Sequence, residues 1–248
     1  MTVTEITTGV WRAGTRWVNW YLVDAGSEGC VVVDAGLPAY HRRLAGSLDA
    51  MGRKPGDVRA VVLTHGHVDH TGMAPYPADA GAPVLLHPDD ARLAANPRSN
   101  RTERTPLPYL RYPATLGFVG HLMKNGGLRP DRPMPATVAL TEGAHPELPG
   151  SPVVTHTPGH TDGSCVVEFP AHGVVFVGDL LCTASPVTGA PVAPQLQTRG
   201  SNRDSAQALA SLDRLAGVRA PLVLPGHGGA WTDGIEAAVA SARRTGCR

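Results

Sequence analysis

Val61-Val62-Leu63-Thr64-His65-Gly66-His67-Val68-Asp69-His70 is the stretch on which the reading of this chain turns. A short, continuously apolar run, of the kind buried on both faces of a sheet, gives way to three imidazoles and a carboxylate within six positions. Such hydratable groups are costly to place at the mouth of a buried strand. Neutral imidazole with carboxylate is a donor set for borderline divalent metals such as zinc. Three later segments repeat the order of apolar strand, glycine turn, ligand. Thr157-Pro158-Gly159-His160-Thr161 follows Val153-Val154, Gly178-Asp179 follows residues 174–177, and Pro225-Gly226-His227-Gly228 follows residues 222–224. Ligands at the ends of adjacent strands converge at one edge of a sheet core, and the neighbouring glycines let the backbone turn sharply. Seven nitrogen and oxygen donors with no thiolate suit two divalent ions sharing a bridging carboxylate.

The bulk numbers narrow the setting. At 248 residues the chain is long enough for one sizeable core. Its net charge is +1 with histidines neutral, and no dense Lys/Arg tract appears, so the whole-chain reading predicts no nucleic-acid and no membrane partner. The first residues show neither a basic start nor an apolar core, and no apolar run reaches the roughly 20 residues that span a bilayer. The four cysteines (Cys30, Cys165, Cys182, Cys247) show no CxxC pairing or disulfide framework, and a reducing cytoplasm is the expected compartment.

Strands are expected over 17–23, 30–33, 59–63 and 83–86, then over 153–154, 165–169, 174–177 and 222–224, with a hairpin closed by Pro170-Ala171-His172-Gly173. Helical spacing marks 40–51, 73–80, 204–215 and 235–244. Two strand-rich halves, each carrying helices, predict two mixed sheets packed face to face with helices outside. Residues 1–248 read as one domain. Residues 88–135 interrupt the order with a proline-rich, arginine-bearing insertion that contains one amphipathic candidate, residues 116–123. A long insertion beside a metal-site loop suits a lid or substrate wall; a homodimer contact is the alternative.

With these motifs in view, the chain resembles the metallo-β-lactamase-fold hydrolase superfamily. The family pattern of HxHxDH, a TPGHT-like loop, a GD aspartate and a late PGH histidine is present in order, across nearly the whole chain outside 88–135. The resemblance implies an α/β fold, a four-layer αββα sandwich with a lid-like insertion. It implies that His65, His67 and His160 hold a first metal, that Asp69, His70 and His227 hold a second, and that Asp179 bridges them. The ions would most commonly be zinc, with iron or manganese as alternatives. Asp34, in Val33-Asp34-Ala35-Gly36, resembles the family's supporting aspartate that orients a ligand histidine; a turn-forming role is the competing reading. His156 reads as structural, and His41, His87, His145 and His172 as surface or lid groups. His121, Phe118 and Cys182 are the expected substrate contacts, although a thiol three residues after Asp179 equally suits plain burial.

The implied chemistry is hydrolysis by a hydroxide shared between two metals, with Asp69 orienting it and collecting its proton. True β-lactamases of this fold usually carry Cys or Ser where this chain has Asp179, which disfavours β-lactam cleavage. Only 21 residues follow His227, too few for the helical domain of glyoxalase II-like thioesterases. The balanced charge gives no exosite for the transfer-RNA processing branch. Quorum-quenching lactonases match in size and ligand set but place tyrosine where Cys182 stands. The expected activity is therefore hydrolysis of an ester, lactone or thioester in a small-molecule substrate. The alternatives are a mononuclear iron persulfide dioxygenase using a subset such as His65, His160 and Asp179, a β-lactam or phosphodiester hydrolase, and a degenerate scaffold that binds a partner.

Overall fold

Period-two alternation sorts the side chains of the central strands into different apolar layers. In the computed structural model, which describes residues 2–185 and 187–247, β1 (Thr2–Thr7), β2 (Val10–Gly14), β3 (Asn19–Asp24), β4 (Cys30–Val33), β5 (Val58–Val62), β6 (Val84–Leu86) and β7 (Val138–Ala139) form a seven-stranded sheet in chain order. Next along the chain are β8 (Gly143–Ala144), β9 (Val153–His156), β10 (Cys165–Phe169), β11 (Val174–Gly178), β12 (Cys182–Ala184), β13 (Pro191–Gln195) and β14 (Leu222–Pro225). Five of these make a second sheet in the order β14-β11-β10-β9-β8, while β12 and β13 pair separately. Both large sheets are mixed. β3 and β4 are antiparallel whereas β4, β5 and β6 run parallel, and β11 pairs antiparallel with β10 but parallel with β14. The helices are α1 (His41–Asp49), α2 (Val68–Thr71), α3 (Pro75–Asp79), α4 (Ala91–Ala95), α5 (Pro113–Lys124), α6 (Ser205–Ser211) and α7 (Gly234–Thr245).

Three apolar layers result. Leu22, Val32 and Val61 point outward and meet Leu44 and Leu48 of α1. Their chain neighbours Tyr21, Val23, Val31, Val33, Ala60 and Val62 point inward and meet Val167, Phe169, Phe176 and Leu224 of the second sheet. Val166, Val175, Val177 and Val223 face the other way, against Ala208 of α6 and Ile235, Ala238 and Ala242 of α7. This is the four-layer αββα sandwich. Burial of each Val or Leu side chain contributes roughly 1.5–3 kcal/mol, whereas an exposed ion pair such as Arg219–Glu236 contributes about 0–1 kcal/mol. The layers, not the surface charges, hold the fold.

Several elements differ from their sequence readings for local reasons. The strand expected from Trp17 starts at Asn19, because Thr15 closes a turn first: its backbone N–H donates to the Val18 carbonyl at 2.9 Å. The helix expected over 73–80 is α-helical only over Pro75–Asp79, with Pro75 at the first position, where its missing N–H costs nothing. The helix expected over 204–215 opens on an Asp204 cap that accepts from the Gln207 N–H at 2.9 Å, then tightens to 3₁₀ geometry over Leu212–Gly217. The β1–β2 and β12–β13 hairpins were not anticipated; Thr, Glu, Arg and Pro dilute their strand pattern.

The insertion supplies α4, α5 and several 3₁₀ turns. Its amphipathic candidate becomes α5, which extends beyond residues 116–123 at both ends. Gly117 lets the helix settle on Trp17, since a Cβ there would lie 2.9 Å from the indole. The Phe118 and Trp17 rings meet at 6.2 Å.

Candidate metal centre

The ends of β5, β9, β11 and β14 all reach the same edge of the sandwich, and the loops that leave them carry the donors. His65, His67 and His160 form one cluster of donor atoms, and Asp69, His70 and His227 another. His67 Nδ1 lies 3.1 Å from His65 Nε2 and 3.0 Å from His160 Nε2. Outside partners dictate which nitrogens are free. Thr64 spends its hydroxyl proton on Asp34 at 3.0 Å, so the Nδ1–H of His65 donates to that hydroxyl oxygen at 3.1 Å. The Nδ1–H of His160 donates to the Asn202 side-chain oxygen at 3.0 Å. Both Nε2 lone pairs therefore point inward, toward each other and toward His67.

The second cluster follows the same logic. His70 donates through Nδ1 to Asp34 Oδ2 at 2.8 Å, and His227 donates through Nδ1 to the Trp17 carbonyl. Their Nε2 atoms turn to the carboxylates. His227 Nε2 lies 3.1 Å from Asp179 and 3.4 Å from Asp69, and His70 Nε2 lies 3.3 Å from Asp179. Asp179 stands between the clusters, for its other approach is 3.5 Å to His160 Nε2. His70 Nε2 and Asp179 Oδ1 are buried without a hydrogen-bond partner. Orphaned buried polar atoms are costly, and inward lone pairs repel. A divalent cation in each cluster relieves both, so the residues present fit the metals that the sequence motifs imply.

Electrostatics tell the same story. Burial and the neighbouring imidazoles His70, His160 and His67 push His65 well below the usual histidine range. Burial takes His160 down to about 4. For His70 burial also opposes charge, but the carboxylates of Asp34, Asp179 and Asp69 outweigh it and raise the ring to about 10. His227 is likewise raised well above its ordinary value against its burial, by Asp179 and Asp69. Asp69 is held at about 2 although burial resists, because His70 and His227 face it. The first cluster is thus neutral and ready to donate lone pairs. The second stores protons that metal ions must displace.

A family model described as the metallo-beta-lactamase superfamily matches residues 13–227. The chain belongs to the metallo-β-lactamase superfamily. It is 30% identical over 230 residues to an uncharacterized protein of Mycobacterium leprae (strain TN), covering 90% of this chain and 92% of that one. Among solved structures, the metallo-beta-lactamase family protein TTHA1429 from Thermus thermophilus is 25% identical with a TM-score of 0.68, over 97% of this chain and 80% of that chain. TTHA1623, solved in a di-iron-bound form, is 29% identical with a TM-score of 0.62, over 92% and 96% of the two chains. In this superfamily member the His/Asp clusters make a divalent-metal site, and the architecture is that of a metal-dependent hydrolase.

The superfamily site opens into a cavity of about 520 Å³. His67, Asp69, His160, Asp179 and His227 form its floor, and the insertion forms one wall, with Leu110, Phe118, Val119, Leu122 and Leu128. Phe118 stands over the site with its ring 5.5 Å from the His227 ring, edge to face. The other two expected substrate contacts are placed elsewhere. His121 Nε2 hydrogen-bonds with the Tyr40 hydroxyl at 2.7 Å, pinning α5 to the body of the protein instead of lining the cavity. Cys182 is 1% exposed, with its thiol pushed up to about 12 by burial. Asp34 sits 2% exposed in a left-handed conformation at φ 57° and orients His70, which favours the orienting role over a plain turn.

Three supporting residues escaped the sequence reading. Asp90, 1% exposed, accepts from the Gly66 N–H at 2.7 Å, the Gly163 N–H at 2.8 Å and the Thr161 hydroxyl at 2.6 Å. It ties the two histidine-bearing loops together. Its signal was available: a carboxylate just past a strand, in His87-Pro88-Asp89-Asp90. Asn202 orients His160, and Gln197 donates to Asp179 Oδ2 at 3.1 Å, with nothing in their local sequence to mark them. His87, Asp89 and His156 form one more His/Asp group. The two rings stack in parallel at 4.0 Å, which sends their in-plane lone pairs side by side, and His156 Nε2 already donates to the Asp162 carbonyl.

Proposed function

We propose that this chain is a dinuclear metal-dependent hydrolase of ester, lactone or thioester bonds in a small acyl substrate. The observation that carries the reading is the position of Asp179 between two complete donor clusters, with contacts to His160 on one side and to His70 and His227 on the other. A mononuclear oxygenase would use only a subset such as His65, His160 and Asp179, so metal stoichiometry separates the two readings. Zinc is the metal we favour for both positions, on the nitrogen-rich donor set, with iron as the competitor that the di-iron form of TTHA1623 suggests.

When bound, the divalent ions would polarise the substrate carbonyl and lower the pKa of water from about 15.7 toward 7. The protein supplies the rest. Asp69 stays ionised and lies on the cavity floor, so its free oxygen accepts a proton from an attacking water and can return it to the leaving group. Asp34, Asn202, Thr64 and the Trp17 carbonyl lock the ring tautomers, which keeps the donors preorganised. Phe118, Val119 and Leu122 exclude water from the acyl part of the substrate. Arg98 and Arg16 at the same cavity suit a terminal carboxylate. Free thiols at Cys30, Cys165, Cys182 and Cys247 agree with a cytoplasmic setting. No helix among the described residues is long and apolar enough to cross a membrane.

The test is metal quantitation on purified protein alongside turnover of a panel of aryl esters, lactones and thioesters. Two divalent ions per chain with hydrolysis that a chelator abolishes is the expected result. About one iron and no zinc per chain, with oxygen consumption on a persulfide, would overturn it.

A further inference from the structure

The whole-chain charge of +1 conceals a strong local asymmetry. Between residues 88 and 135 there are eight Lys/Arg and four Asp/Glu, a net of +4, which leaves the remainder of the chain at −3. The same segment holds the exposed apolar surface. Seven large hydrophobic side chains stand exposed among the described residues, and five lie here: Leu107 at 67%, Leu110 at 36%, Leu116 at 54%, Met123 at 60% and Leu128 at 64%. A soluble surface rarely concentrates both features by chance.

The two features surround the mouth of the cavity. Leu110, Leu128 and Arg98 line the cavity and are exposed at its rim. On α5, Thr115, Phe118, Val119 and Leu122 face the cavity, and Leu116 and Met123, seven positions apart, share the adjoining outer flank. Arg101, Arg104, Lys124 and Arg129 are exposed in the same segment.

We propose that this insertion is a docking face for an anionic lipid bilayer, with the cavity opening toward the acyl region. Long basic side chains reach the headgroups while Leu107, Leu116, Met123 and Leu128 enter the interface, the combination by which monotopic proteins hold to acidic membranes. Charge complementarity selects this occupant over a second copy of the chain. A two-fold dimer through this face would set one insertion of net charge +4 against another, whereas an acidic leaflet neutralises it. That an acyl substrate enters from the lipid rests on the hydrolase reading above; the docking itself does not.

Sedimentation of the metal-loaded full chain with vesicles tests docking without any substrate. Vesicles of phosphatidylcholine carrying about one third phosphatidylglycerol should retain the protein, and pure phosphatidylcholine should not. Two triple variants of exposed residues, Arg104→Glu/Lys124→Glu/Arg129→Glu and Leu107→Ser/Leu116→Ser/Met123→Ser, should each lower the partition coefficient at least about tenfold, the first with loss of salt sensitivity. Neither touches the metal site, so ester turnover in solution should persist, which separates failure of docking from failure of the hydrolase reading. No retention on anionic vesicles, equal retention on neutral ones, or a dimer that the Leu/Met variant dissolves would each overturn the proposal.

Discussion

The ring of His70 and the carboxylate of Asp34 meet at 2.8 Å with neither side chain open to solvent. Asp34 accepts the hydrogen bond from the Nδ1–H, which leaves Nε2 facing Asp179 at 3.3 Å. Removing the carboxylate as Asp34→Ala should unlock the ring and weaken metal retention about 10–100-fold, the usual effect of losing such a partner. Competition with a chromophoric chelator reads the loss directly. Unchanged affinity would make Asp34 a turn residue only.

The metal-free protein should be most stable near pH 6.5, the ordinary histidine value. His70, raised to about 10, contributes stability that is complete below pH 6.5 and is lost as pH climbs toward 10. His160, lowered to about 4, works in the opposite sense: its contribution is complete above pH 6.5 and fades as pH falls toward 4. Depressed Asp69 adds a further loss below about pH 3.8. Thermal melts of chelated protein across this range check the bell shape. A monotonic profile would contradict it.

Metal uptake should release protons. His70 and His227 carry protons at neutral pH when no metal is bound, and ligation requires both to lose one. Calorimetric titration in buffers of different ionisation enthalpy should report at least about two protons per chain at pH 7, any acidified metal-bound water adding to them, with the histidine share falling as pH rises toward about 10.

Asp90 should matter to folding and to the site together. Asp90→Ala leaves the buried Gly66 and Gly163 N–H groups without acceptors, at a cost of about 3 kcal/mol in stability. Asp90→Asn should not rescue, because its amide nitrogen would face a donor. Urea melts of both variants decide the matter.

Gly226→Ala should spoil the centre more than the fold. A Cβ there would stand 2.4 Å from His70 Cε1 and 2.5 Å from Asp179 Oδ1, between two donors that must move apart. Turnover should drop at least about 100-fold, comparable to losing one preorganised group, with a circular dichroism spectrum that matches the parent.

The candidate donor segments were legible in the sequence because each of the four follows an apolar strand and carries a glycine, a local pattern that needs no tertiary knowledge. The layers were legible for a similar reason: Val31-Val32-Val33 announces a strand buried on both faces. Asp90, Asn202 and Gln197 were hidden, since their partners are brought near only when separate loops meet. His121 was misjudged on its position in the insertion, where its Tyr40 partner lies across the fold. Charge was the subtlest case, because an average over the chain cancels a basic insertion against an acidic remainder.

The late histidine is anchored to the early hairpin. His227 donates to the Trp17 carbonyl, and Asn19 donates from its side chain to Pro225 and Gly228 at 2.9 and 2.8 Å. A ribosome must therefore pass residue 227, about two hundred positions beyond Trp17, before the Asp69, His70 and His227 cluster is complete. Nascent chains that stop short of residue 227 would hold at most the three-imidazole pocket of His65, His67 and His160.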